Sequence, residues 1–201
     1  MIAVNVMSFE PPNFNRDDVL KYAGVGKEDE ASMRQIDEAI AEVKSLKSYR
    51  ACYAELPVKV SESVVNFGFT EVYSRDLARR LSGSARALII ATTLGISADR
   101  LIRRYMATSP AKAYLINSVC TERVEALTDT FVSHLEEKYS KEGFLLTHRY
   151  SPGYGDLGIE FQKSVFAILS PEKNLGITLS NELLMSPSKS VTAIIGLKPI
   201  I

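Results

Sequence analysis

Residues 149 to 162, RYSPGYGDLGIEFQ, bring together the residue types best suited to hold a small ligand. Arg149 carries a planar fork of donors that grips a carboxylate through two parallel hydrogen bonds. Pro152 stiffens the loop, and Gly153 and Gly155 let its backbone approach a ligand closely. Tyr154 stands between those glycines, where no adjacent side chain screens its ring. Such a ring attracts a cation or stacks on a base. A ligand with a carboxylate, a positive centre and an aromatic ring would meet all of these groups. A plain Gly/Pro turn explains the same residues with no ligand at all.

Read from Gly153, GYGDLG also satisfies G-x-G-x-x-G, and a strand-like run precedes it and a helix-like run follows. That pattern signals a nicotinamide or flavin dinucleotide only inside a βαβ unit, with an acidic residue near the end of the second, parallel strand. Glu182 falls at a tolerable distance. The tail, ITLSNELLMSPSKSVTAIIGLKPII, instead reads as two strands joined by a short turn around Pro187, and so short a link makes an antiparallel pair. Only 43 residues follow Gly158, too few for the rest of a doubly wound sheet. The dinucleotide reading is set aside.

Several elements must position this loop. IAVNVMSFE reads as a strand stopped by Pro11 and Pro12. Asn15 suits the N-cap of a helix with acidic residues in its first turn and glycines at its end. Met33, Ile36, Ile40, Val43 and Leu46 recur at helical spacing, which predicts an amphipathic helix over 32–47. Residues 49–73 are rich in Tyr, Val and Phe and read as strands. Ser74 caps a short helix that Gly83 closes. ARALIIATTLG is a continuous apolar run, suited to a central strand covered on both faces. Ser97 is the expected cap of the next helix. Ser109 and Pro110 open the longest one, whose apolar stripe runs from Ile116 to Leu135. A strand over 144–150 then leads into the loop, and a helix runs to about 169.

Composition narrows the function classes. Twenty-four basic residues cancel 24 acidic ones, so no nucleic-acid footprint or polybasic membrane anchor is expected. The two histidines, His134 and His148, cannot assemble a His-rich metal site. Cys52 and Cys120 stand apart and read as small buried apolar residues. No segment approaches the roughly 20 apolar residues that span a bilayer, and the N-terminus has no basic n-region. A cytoplasmic protein with one α+β domain over 1–201 is the expectation.

RYSPGY, followed by a helix and then by LSNELLMSPSKSVTAIIG, resembles the activation domain of cobalamin-dependent methionine synthase. TLGISADRLIRRYMATSPAKAYLINSVCTERVEALTD is similar to the stretch preceding that motif, especially in free-standing members. The likeness covers residues 74–197, while 1–73 match only loosely. It implies a twisted, mainly antiparallel sheet with flanking helices and a shallow surface site for S-adenosylmethionine. Arg149 would hold the methionyl carboxylate. Backbone groups at Ser151 and Tyr154 would contact the ligand, with Gly153 allowing the close approach and the tyrosine ring lying alongside. Glu125 falls where a family glutamate sits near the ligand's positive end, or else it is a solvated position on a long helix. The family's full-length enzymes bind the amino group through an acidic residue early in the domain, for which no counterpart can be placed here. Asp99 and Asp156 are candidates, though a helix-start charge and a turn residue explain them too. His148 looks like a general base beside Arg149, but strand alternation points it the other way.

The homocysteine, folate and cobalamin modules of the full enzyme have no counterpart in these residues. The implied role is therefore a component rather than a complete enzyme, with no catalytic residue of its own. It would act in trans on a methionine synthase chain that supplies the cobalamin, or on another corrinoid protein, with a flavodoxin-like electron donor. The alternative is an S-adenosylmethionine-binding regulator or reactivator of another corrinoid methyltransferase system.

Overall fold

The computed structural model describes residues 2–26 and 29–200. Its strands are β1 (Val4–Ser8), β2 (Arg50–Pro57), β3 (Lys59–Val60), β4 (Val64–Asn66), β5 (Glu71–Tyr73), β6 (Arg86–Thr93), β7 (Phe144–Leu146), β8 (Thr178–Leu179), β9 (Met185–Ser186) and β10 (Ser190–Pro199). Its helices are α1 (Arg16–Ala23), α2 (Glu30–Val43), α3 (Arg75–Leu81), α4 (Ile96–Met106), α5 (Pro110–Lys141), α6 (Gln162–Leu169) and α7 (Pro171–Leu175). A single 3-10 turn, Ile159–Phe161, leads into α6. The main sheet has the order β1-β2-β6-β10-β7, and every neighbouring pair is antiparallel.

Strand alternation sorts the core into two faces. Ala87, Ile89 and Ala91 of β6 pack with α3, α6 and α7. Leu88 and Ile90 of the same strand meet Phe131, Leu135 and Tyr139 of α5. Every residue from Ala87 to Thr93 is buried, as the unbroken apolar run predicts for a doubly covered strand. Each such leucine or isoleucine contributes roughly 1.5–3 kcal/mol relative to exposure. The 32-residue α5 is covered on its other side by α1, α2 and α4, through Val19, Ile36, Val43 and Leu101 against Ile116, Val119 and Val124.

Local signals explain most boundaries. The Asn15 side chain accepts from the amides of Asp17 and Asp18, and Gly24 ends α1 in the left-handed region. Ser74 Oγ accepts from the Leu77 amide at the start of α3. Three expectations need correction. The α2 helix covers Glu30–Val43, because Asp29 caps it by accepting from the Ser32 amide. The N-cap of α4 is Gly95, not Ser97; its φ of +71° and the crowding by Ser48 suit only glycine. The two tail strands do not pair with each other. β9 pairs with β8 across 180–184, and β10 enters the main sheet between β6 and β7. The objection to a dinucleotide unit stands all the same, since β10 runs antiparallel to the strand before GYGDLG.

Candidate functional site

The strand expected over 144–150 stops at Leu146 and resumes for a single bridge at Tyr150, which exchanges hydrogen bonds of 2.8 and 2.9 Å with Ile194 of β10. Between these attachments the Thr147 amide donates to the Gly196 carbonyl at 2.9 Å, and the Thr147 hydroxyl accepts from the Gly196 amide at 2.8 Å in place of a backbone carbonyl. Arg149 leaves this excursion toward α5. His148 lines a different groove, with Arg79, Arg80 and Lys198, as alternation predicts.

The loop after Tyr150 is held by its own polar groups. The Gly153 amide donates to the Leu157 carbonyl at 2.9 Å, and the Leu157 amide to the Tyr154 carbonyl at 3.0 Å. The Tyr150 hydroxyl donates to that same Tyr154 carbonyl at 3.0 Å. Gly155 has φ +53°, and a Cβ there would collide with the Tyr150 hydroxyl and the Asp76 carboxylate. Asp156 reaches back to the start of α3, accepting from the Ser74 hydroxyl and from the Arg75 amide at 2.7 Å. The Ser74 hydrogen bond holds its carboxyl below the ordinary value. Asp156 thus anchors the loop to the start of α3.

A groove of about 650 Å³ runs along this loop, walled by Arg149, Ser151, Tyr154 and Glu125 and by Gln162 and Thr192. That volume lies within the range of small-molecule sites, about 300–1,000 Å³. Its floor is polar and satisfied: Thr192 Oγ1 donates to Gln162 Oε1 at 2.8 Å, and both residues are buried. Its rim is apolar and open, with Tyr154 at 67% and Leu184 at 69% exposure. Leu184 stands on the β8–β9 hairpin beside Leu183, a non-glycine residue with φ +64°. Gly153 is not part of the wall; it sits behind it at φ +90°, against Ile159.

Arg149 and Glu125 also line a second groove of about 340 Å³ on their far side. Asn13, Asn15, Asp18, Tyr22, Glu122 and Asp129 are among its other lining residues. Arg149 Nη2 donates to Glu125 Oε2 at 2.7 Å and to Asp129 Oδ1 at 3.1 Å. Burial raises the Asp129 carboxyl above its ordinary value, with Arg149 opposing and Glu125 adding to the rise. Glu125 therefore faces the site rather than bulk water alone. Asp99 does not reach either groove: it is buried and accepts from the amide and hydroxyl of Ser188. Sequence reasoning missed Asp129, although it lies one helical turn beyond Glu125 on α5, where the i, i+4 spacing would have found it. Asp18, Leu184 and Thr192 carried no such signal, because each comes to the site from a distant segment, and Gln162, at the end of the 149–162 stretch, belongs to no binding motif.

Among the described residues there is no group of three His, Cys, Asp or Glu able to hold a metal, and no helix long and apolar enough to cross a membrane. The site offers cationic, anionic and aromatic contacts but no paired nucleophile and base.

No family model and no curated protein matches this chain. Among solved structures it is similar to the crystal structure of the MetH reactivation domain bound to AdoHcy, S-adenosylhomocysteine. The TM-score is 0.70 at 13% identity, covering 98% of this chain and 79% of the other. The chain has the α+β fold of that domain, with the five-stranded antiparallel sheet and flanking helices described above.

Proposed function

We propose that this chain is an S-adenosylmethionine-binding reactivation module, acting as one unit over residues 1–201. The observation that carries the reading is the placement of the RYSPGY motif. In a fold like that of a domain solved with AdoHcy, the motif walls an open groove with its arginine beside two carboxylates. The residues fit the ligand group by group. The Arg149 guanidinium takes the carboxylate, exchanging it for one of its present partners. Glu125 and Asp129 face the positive charges of sulfonium and ammonium, with Asp18 across the second groove. The exposed Tyr154 ring lies against the ligand, and the backbone of Ser151 and Tyr154 contacts it.

Bound S-adenosylmethionine would supply its sulfonium methyl to the reduced cobalt of a cobalamin carried on another chain and leave as S-adenosylhomocysteine, the electron that reduces the cobalt coming from a flavodoxin-like donor. This chain's task is to bind, orient and present. The open rim serves that task, because a methyl group in a closed cavity would be out of reach of a second protein. The partner in this reading is a methionine synthase chain or another corrinoid protein.

Calorimetry with S-adenosylmethionine and S-adenosylhomocysteine, on the wild type and on Arg149→Ala, tests the site. Binding that the substitution weakens by about tenfold or more supports the assignment. Equal binding by both proteins sinks it. Pull-down with an isolated cobalamin domain of methionine synthase, against one from another corrinoid methyltransferase, separates the two partners.

A further inference from the structure

Glu122 and Arg123 form an ion pair that is buried to 3% and 0% side-chain exposure, beneath the second groove. Two charges held out of water are a poor source of stability, since well-packed apolar residues would do as well or better. Their partners point to another use. Arg123 donates to the carbonyls of Pro12 and Asn13, the latter at 2.8 Å, and lies over the Phe14 ring at 3.8 Å. Glu122 Oε1 accepts from the Asn15 amide at 3.0 Å. Residues 12–15 have no strand or helix of their own, so these contacts fasten four consecutive residues to α5 from more than 100 positions away. Asn15 in turn caps α1, which brings Asp18 and Tyr22 to the groove.

We infer that Glu122 and Arg123 are positioning residues for the amino-acid end of the ligand. They hold the wall of Asn13, Asn15, Asp18 and Tyr22 at a set distance from Arg149, and so decide how well a carboxylate and an ammonium are received together. The inference rests on the ligand reading above. An apolar pair in their place would keep the core filled and release the wall.

The test compares two thioethers, S-adenosylhomocysteine and methylthioadenosine, which differ in the presence of the amino-acid end. Calorimetry is run on the wild type, on the double variant Glu122→Leu with Arg123→Met, and on Phe14→Ala. The last loosens the wall and leaves the ion pair intact should the double variant not fold. The expected result is a loss of at least tenfold in affinity for S-adenosylhomocysteine, with methylthioadenosine changed less than twofold. Equal losses for both compounds would reduce the pair to a general structural role and overturn the inference, as would no loss for either. A wild type that binds neither compound overturns the ligand reading and this inference with it. A wild type that binds while the variants match it overturns the inference alone.

Discussion

Two arginine–glutamate pairs meet helix α5 within one turn of each other, and they behave as opposites. Glu122 with Arg123 is closed off, at 3% and 0% side-chain exposure. Glu125 with Arg149 is half open, at 33% and 30%. The buried guanidinium already serves Glu122 and the carbonyls of Pro12 and Asn13, so no incoming group can reach it without unfolding the segment. The open one binds both its acids through a single nitrogen, Nη2. Exposed pairs contribute only about 0–1 kcal/mol, so an arriving carboxylate displaces one at small cost. Residue type is the same in the two places. Burial alone divides a fastener from a receptor.

The largest expected effect lies on the closed side. Arg123→Ala leaves the Glu122 carboxylate buried without its partner and should lower stability by about 3–5 kcal/mol, read as a shift of the urea midpoint. A variant as stable as the wild type would erase the contrast between the pairs. On the open side Arg149→Ala should cost about 10–100-fold in S-adenosylmethionine affinity, the range for hydrogen bonds to a charged group. Its stability should change by less than about 1 kcal/mol. A large loss of stability there would mean that Arg149 is a fastener as well.

Glu125→Gln and Asp129→Asn should each weaken binding by only about 2–5-fold, as exposed charge pairs do. Asp129 adds a pH signature of stated sign. Its carboxyl is raised in the folded chain, so the folded state holds the proton more tightly than the unfolded one. Its charged form therefore detracts from stability near neutral pH, and that penalty fades as the pH falls through its folded value. Asp129→Asn should flatten this part of the pH dependence of urea unfolding; an unchanged or steeper dependence would show that the Asp129 carboxylate carries no such penalty. The smallest effect is an absence of reaction. Burial pushes the Cys52 and Cys120 thiols up to about 12, so neither should react with a thiol reagent near neutral pH while the chain is folded. Cys120 lies one turn before Arg123 on α5, and faster labelling of Cys120 in Arg123→Ala would show which turn opens first.

Legibility in the sequence followed the range of the forces involved. The β6 run, the stripe of α5 and the caps at Asn15 and Ser74 were readable, because burial periodicity and capping bonds act within a few residues. The tail misled because strand type is local while strand pairing is not. Two short strands around Pro187 looked like a hairpin, yet β10 has ten residues to pair and finds two partners in the main sheet. The site divided in the same way. Arg149, Ser151 and Tyr154 stand in one short motif, and Glu125 came with the family resemblance. Asp18, Gln162, Leu184 and Thr192 reach the grooves from four separate elements.

From its sequence alone this protein was determined to be a neutral α+β chain, with a buried central strand, one long helix and a Gly/Pro loop chemically suited to a charged aromatic ligand. Those properties follow from residue type and spacing along the chain. Only the tertiary structure decided that Asp156 ties that loop to α3, that Asp99 is spent on Ser188, and that two like pairs on α5 have unlike accessibility. Solvent exposure is set by what the rest of the chain lays over a residue. No local pattern records it.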